Sequence, residues 1–396
     1  MRRVLFLVHR IPYPPNKGDK IRSYHLLRYL AQHYRVHLGA FVDDPFDRQY
    51  EAPVRALCEQ ALLLSMNPRL RKLASLSGLL SGEALGLPYY RVRAMQDWVD
   101  RTIERESIDT VVVFSSTMAQ YVQGERHRHL NRIIDFVDVD SDKWAQYAAR
   151  ASGPTAWVYR REAAALLRFE RHIAATMDAS LFVTQAEADL FRRLAPESIG
   201  RIAHYDNGVD TAYFDPALPT QSPYAPGGPV AVFTGAMDYW PNVEAVQWFA
   251  REALPLIRQQ RPDLRFVIVG SKPTEAVQAL GRLAGVQVTG RVPDVRPYLR
   301  FADVAVAPLQ IARGIQNKVL EALAMARPLV CSGPAAEGLQ AADEISQATA
   351  DAPADFAAKV LERLGAPPQA CHRAYVTAHY SWESQLSRVG QLIERE

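Results

Sequence analysis

The chain has 396 residues, 48% hydrophobic and 22% charged, with a formal charge of +3. It is too long for one ordinary core, and its apolar runs fall short of the roughly 18–20 residues that span a bilayer. The charge is uneven, with 29 Lys and Arg against 23 Asp and Glu in residues 1–205. That excess suits an anionic membrane surface or a phosphorylated lipid, and without basic stretches interleaved with aromatics it excludes a nucleic-acid stripe. Cys58, Cys331 and Cys371 fit neither a zinc spacing nor a disulfide framework. The start, Met1 to Val8, lacks the length and cleavage site of a signal peptide. The expected compartment is the cytoplasm.

Val4 to Val8 reads as a buried strand ending at His9-Arg10. A loop with three prolines and Gly18 follows, then a helix from Ile21 to His33 with Tyr24, Leu27, Leu30 and Ala31 on one face. Strand, loop and helix make the α/β unit, whose ligands gather at the carboxyl ends of strands. Gly18 either lets a ligand approach the backbone or serves a flexible turn. The absence of G-x-G-x-x-G excludes the NAD fingerprint. Val36 to Val42 is a second strand, and a helix carrying Val54, Leu57 and Ala61 is expected from Arg48, with a short strand at Ala61 to Leu64. Pro68 to Tyr90 opens with Arg69, Arg71 and Lys72 and continues through Leu73, Leu76, Leu79, Leu80, Leu85 and Leu87. It fits an interfacial helix pair touching a membrane, or a buried helix on an inserted arm, the latter being favoured.

Met95 to Arg105 is an amphipathic helix, Thr110 to Phe114 a buried strand, and Arg132 to Val137 another strand followed by Asp138, Asp140 and Lys143. Pro154 to Met177 reads as one long helix, Ser180 to Thr184 as a strand and Ala186 to Leu194 as a helix. The run Pro216 to Pro229, with five prolines and two glycines, marks a linker. The expected division is therefore 1–205, a linker at 206–228, a second domain at 229–375 and a final helix at 376–396.

The second half restarts the alternation. Val230 to Thr234 ends at Gly235, Arg265 to Val269 at Gly270-Ser271, Val286 to Thr289 at Gly290-Arg291, and Leu329 to Cys331 at Ser332-Gly333. Strands ending in Gly or Ser leave backbone N–H groups facing one crevice. Helices are expected over Asn242 to Gln259, Thr274 to Leu283 and Pro293 to Arg300. After the strand Asp303 to Pro308 comes Arg313 to Pro328, a loop and then a helix with Val319, Leu320, Ala322, Leu323 and Met325 as its buried stripe. A helix start offers unpaired N–H groups and positive charge to a phosphate. Lys318 adds a cation, and Glu321, three residues on, is placed to accept hydrogen bonds from sugar or ribose hydroxyls. The alternative is an ordinary exposed Lys–Glu pair. The last helix, Ser381 to Ile393, carries Trp382, Leu386, Val389 and Leu392 on one face, and the first domain is its expected partner.

The order N207-G208-V209-D210, G235, V267-I268-V269-G270, V288-T289-G290-R291-V292 and R313-G314-I315-Q316-N317-K318-V319-L320-E321-A322-L323-A324 resembles the retaining GT-B glycosyltransferases of family 4. HRIPYPPNKGDKIRSYHLL and DFVDVDSDKW resemble a narrower group, sugar transferases associated with bacterial exosortase and exopolysaccharide loci. The resemblance implies an α/β chain with two Rossmann-like, doubly wound domains facing a central cleft. It implies transfer of a hexose from a UDP- or GDP-sugar to a glycan or lipid-linked acceptor, without a metal or other cofactor, and with a peripheral contact on the inner membrane face. It places the donor against Gly18, Asp19, Gly235, Lys272, Gly290, Arg291, Arg313, Gly314, Ile315, Gln316, Asn317, Lys318 and Glu321, and the acceptor against Lys20, Arg22, His25, Asp140 and Lys143. Lys318, Glu321 and Asp138 are the expected catalytic residues. Asp138-Val139-Asp140 also looks like the D-x-D that holds a divalent metal in another glycosyltransferase fold, although a helix cap or an acceptor contact is the favoured role.

Three departures from the family pattern stand out. Arg313 replaces the earlier of two glutamates seven positions apart. The loop Ala236 to Trp240 lacks the usual Arg and Lys, so Arg313, Arg291 or Lys272 is left to supply that charge. Asp138 stands where a histidine is often found. Two alternatives to transfer remain, a nucleotide-sugar binder without activity and an epimerase of the same architecture.

Overall fold

The computed structural model describes residues 1–395 apart from 16–17, 313–314, 338 and 340–347, and it omits the side chains at 18 and 19. The chain divides into two compact units, Met1–Asp206 with Leu386–Glu396, and Asn207–Gln385.

The first unit holds strands β1 (Arg3–Val8), β2 (Arg35–Val42), β3 (Gln60–Ser65), β4 (Thr110–Phe114), β5 (Asn131–Val137), β6 (Ala179–Phe182) and β7 (Ile202–His204). They form one parallel sheet in the order β3-β2-β1-β4-β5-β6-β7. Every residue of β4 is buried, as are Val4 to Val8 of β1. Such continuous apolar runs belong to a parallel sheet covered on both faces. The strand β7 was not legible as one, because three residues, Ile202–His204, carry no periodicity.

The helix expected from Arg48 is absent. A 3₁₀ turn (Pro45–Tyr50) and a five-residue helix (Glu51–Arg55) stand there instead, and the chain enters β3 at Gln60.

Residues Pro68–Ser75, Ser77–Ser81 and Gly86–Tyr90 form three short helices. Ala84 and Leu87 are buried against Ala165 and Leu166, and the rest of the inward side is held by polar contacts. The Arg71 guanidinium donates to the carbonyls of Tyr89 (2.6 Å), Pro88 (2.6 Å) and Arg91 (2.7 Å). Arg161 donates to those of Gly78 and Glu83. The leucines Leu70, Leu73, Leu76, Leu79 and Leu80 point to solvent. The favoured expectation of a buried helix therefore fails for Pro68–Ser81, whereas Ala84 and Leu87 meet it.

The last residues group with the first unit. Leu386, Val389 and Ile393 are buried, and the carbonyls of Leu392 and Ile393 accept from Asn131 and Arg2.

The second unit holds β8 (Val230–Thr234), β9 (Arg265–Val269), β10 (Val286–Gly290), β11 (Val304–Ala307) and β12 (Leu329–Cys331), all parallel, in the order β10-β9-β8-β11-β12. The strand order reverses between β8 and β11, and ligands of open α/β sheets bind at that point, outside the carboxyl ends. The helix expected over Asn242 to Gln259 contains a π-turn at Phe249–Ala253, where the Leu254 N–H reaches the Phe249 carbonyl, just ahead of Pro255. Residues 207–228 run without regular helix or strand but are tied to this unit. Arg373 donates to the carbonyls of Phe214 and Thr211, and Tyr224 Oη to that of Tyr298 (2.6 Å).

Candidate functional site

The loops after β8, β9 and β10 are drawn together by backbone bonds. The Gly235 N–H donates to the Val269 carbonyl (3.0 Å), the Met237 N–H to that of Ser271 (2.8 Å) and the Gly270 N–H to that of Gly290 (3.2 Å). A Cβ placed on Gly270 would lie 1.6 Å from the Gly235 carbonyl oxygen, so backbone packs directly on backbone there. Gly290 has φ +71, a conformation open to glycine at little cost.

Beside these loops, past the end of β11, the helix Asn317–Ala324 begins. Its stripe Val319, Leu320, Ala322, Leu323 and Ala324 is buried, which fixes the opposite face toward the loops. Gln316 stands at the N-cap without a side-chain cap bond, and the first turn carries no acid, so its positive end is kept for something else.

These elements enclose a cavity of about 360 Å³ lined by Thr234, Gly235, Ala236, Val269, Gly270, Ser271, Arg291, Val292, Val295, Asn317, Lys318 and Glu321. The Lys318 ammonium lies 5.5 Å from the centroid of the Phe233 ring. Burial pulls the amine down to about 8, with Glu321 opposing it, and pushes the Glu321 carboxyl up to about 7, with Lys318 opposing. Among the described residues the two form no ion pair with each other, although each feels the other's charge. A cation and a helix start suit a diphosphate, and a neighbouring carboxyl suits hydroxyls.

Of the residues expected at the donor, Gly235, Arg291, Asn317, Lys318 and Glu321 come together on this wall, and Gly290, Ile315 and Gln316 adjoin it. Lys272 does not line the cavity. It is exposed, takes φ +53 and pairs with Asp238 at 3.3 Å. Arg313 and Gly314 lie outside the described residues. Gly18 and Asp19 open the helix Gly18–His33 of the first unit. Gly270, Ser271, Val292 and Val295 were not singled out as site residues. Glycine ending an apolar strand was the signal for the first two, whereas nothing local marks the valines.

The acceptor residues are a different matter. Arg22 is buried, with Nε donating to Asp135 Oδ2 (2.9 Å) and Nη1 to the Tyr205 carbonyl (3.1 Å), and its guanidinium lies 3.5 Å from the centroid of the Tyr205 ring. Asp135 also accepts from the Tyr205 hydroxyl and the Val137 N–H. Lys20 is likewise buried, with Nζ 2.6 Å from Asp47. Both cations are paired inside the unit rather than open at its surface. His25 is half-buried against Tyr24.

Asp138 follows Val137, whose φ of +72 is strained for a β-branched residue. Lys143 Nζ lies 2.6 Å from Asp138 and 3.2 Å from Asp140. Burial alone would lower the Lys143 amine, but the two carboxylates outweigh it and raise it. The ammonium occupies the place between the carboxylates that a D-x-D cation would take. Among the described residues there is no cluster of three or more His, Cys, Asp or Glu able to hold a metal.

Residues 228–365 match the family model described as glycosyl transferases group 1. No curated relative matches the chain in sequence. Solved structures share the fold at low identity. A glycosyltransferase of Rickettsia africae is 13% identical with a TM-score of 0.63, covering 100% of this chain and 99% of its own. Sucrose-phosphate synthase of Thermosynechococcus elongatus is 17% identical with a TM-score of 0.62, covering 99% and 98%. HepE of Anabaena, solved with UDP, is 12% identical with a TM-score of 0.61, covering 99% of each. Residues 228–365 thus form a group 1 glycosyltransferase domain, and the chain shares with these structures the fold of two Rossmann-like domains, the GT-B architecture. A group 1 glycosyltransferase domain accounts for the second unit, where the cavity lies.

Proposed function

We propose that this protein transfers a hexose from a UDP-sugar, or a GDP-sugar, to a glycan or lipid-linked acceptor in bacterial exopolysaccharide or cell-surface glycan synthesis, retaining the anomeric configuration and using no metal. The observation that carries the donor half is the cavity past the carboxyl ends of β8, β9 and β10, where Lys318 and Glu321 line the wall formed by a helix whose start has no side-chain cap. HepE was solved with UDP, with UDP and glucose, and with UDP-glucose, which favours UDP over GDP.

In this reading the helix start and Lys318 hold the diphosphate, and the same charges stabilise it as it departs. Glu321 accepts from the ribose hydroxyls. Arg291, beside the cavity, supplies the charge that the Ala236 loop lacks. Asp138, clamped by Lys143, is the acceptor-side carboxylate. The acceptor hydroxyl attacks on the face the diphosphate leaves, and the leaving phosphate takes its proton.

A thermal-shift screen with UDP, GDP and their glucose and mannose conjugates tests the donor. A ligand at 100 times its Kd adds about 2.7 kcal/mol, and UDP ligands are expected to raise Tm more than GDP ligands. Release of UDP from UDP-glucose, faster with acceptor, then separates transfer from mere binding. Tight binding with no release under any acceptor would remove the transferase reading in favour of a binder.

A further inference from the structure

We infer that the leucine arm of the first unit, residues 68–82, is a docking surface for an anionic lipid bilayer. Arg71 ties the arm to the carbonyls of Pro88, Tyr89 and Arg91, and Arg161 holds its Gly78 carbonyl, whereas Leu70, Leu73, Leu76, Leu79 and Leu80 are exposed by 63, 66, 52, 42 and 94%. Single exposed leucines need no explanation, but five within eleven residues mark an interaction site.

The charge of the segment says which kind. Residues 60–82 hold Arg69, Arg71 and Lys72 and no Asp or Glu. Arg69 and Lys72 are exposed among the leucines. Apolar side chains interleaved with cations match a headgroup layer over acyl chains. Trp157, 60% exposed one turn before Arg161 on the neighbouring helix, is the residue type that settles at that boundary. A second copy of this chain is the poorer occupant, since a two-fold contact would bring Arg69 and Lys72 against their own kind. No helix among the described residues is long and apolar enough to cross a membrane, so the arm lies on the bilayer rather than through it.

This surface rests on the lipid-linked-acceptor part of the proposed function for its purpose, but its test needs neither donor nor turnover. The full chain is sedimented with vesicles of phosphatidylcholine alone and of phosphatidylcholine mixed with phosphatidylglycerol. Binding is expected to the mixed vesicles and to weaken with salt. The double substitution Leu73→Ser/Leu80→Ser is expected to weaken it on the order of tenfold or more, and Arg69→Gln/Lys72→Gln roughly fivefold per charge removed. All four side chains face solvent, so an unchanged melting curve for the variants shows that folding is not the cause. Absence of vesicle binding by the wild type would overturn the inference and leave sugar transfer standing, as would binding insensitive to both pairs. Leucine-dependent dimerisation in sedimentation equilibrium, without vesicle binding, would assign the surface to a second copy instead.

Discussion

Replacing Lys318 with methionine is expected to stabilise the ligand-free protein and at the same time cripple turnover. Burial holds the amine at about 8 rather than the ordinary 10.5, so carrying its charge at pH 7 costs about 3 kcal/mol. Methionine keeps much of the apolar stem and discards the charge. It does not strand a buried carboxylate, because Glu321 already sits at about 7 and rises further once Lys318 no longer pulls it down, remaining protonated. Allowing for the lost attraction, the gain is about 1–3 kcal/mol. In transfer the same amine faces the departing diphosphate, and losing one such stabiliser costs about 10²-fold in turnover or more. Between pH 8 and 10.5 the unfolded lysine keeps a proton that the folded one has released, so wild-type stability gains with rising pH across that window. Lys318→Met lacks this gain. Urea unfolding at pH 7 and pH 10, paired with UDP release from UDP-glucose, reads both effects. A variant less stable than wild type at pH 7 and turning over normally refutes the reasoning.

Glu321 works with the opposite sign. Its folded carboxyl keeps a proton up to about pH 7 while the unfolded one loses it near 4.5, so this group lowers stability as pH rises between those values. Glu321→Gln should flatten that slope in urea titrations and weaken UDP-sugar binding, and wild-type donor affinity should peak between about pH 7 and 8, where Glu321 is ionised and Lys318 still charged. Gly270→Ala drives a methyl into the Gly235 carbonyl and is expected to cost about 3 kcal/mol or more in chemical denaturation, with loss of the UDP-induced thermal shift. Arg22→Met leaves Asp135 as an uncompensated buried charge and should cost about 3–5 kcal/mol, while adding Asp135→Leu should recover much of it. A loss confined to acceptor KM with unchanged stability would return Arg22 to the acceptor site.

The second unit was largely legible because its signals are local. Apolar strands end in glycine, and one helix carries both its buried stripe and its charged face within Asn317–Ala324. The buried pairs of the first unit were not legible. Arg22 sits seven residues after Pro15 of the proline-rich loop, where a cation reads as a surface group, and its partner Asp135 lies 113 residues away. Tyr205, which completes the network, lies 70 residues beyond Asp135. Nothing in the spacing joins them, and only the register of β5 against its neighbours does. The leucine arm misled for a related reason. Helical periodicity reports which side chains share a face, and it does not say whether that face turns inward.

The glycine floor of the cavity also bears on how such a protein acquires new substrates. Where Gly270 packs on the Gly235 carbonyl, no side chain is tolerated, so this position offers mutation nothing to select. Variation in sugar or base preference is channelled to the rim, at Arg291, Val292, Val295 and Glu321. A library randomising those four codons with Gly270 held constant would therefore sample donor preference without touching the floor, and clones altered at Gly270 would drop out as misfolded before any preference was measured.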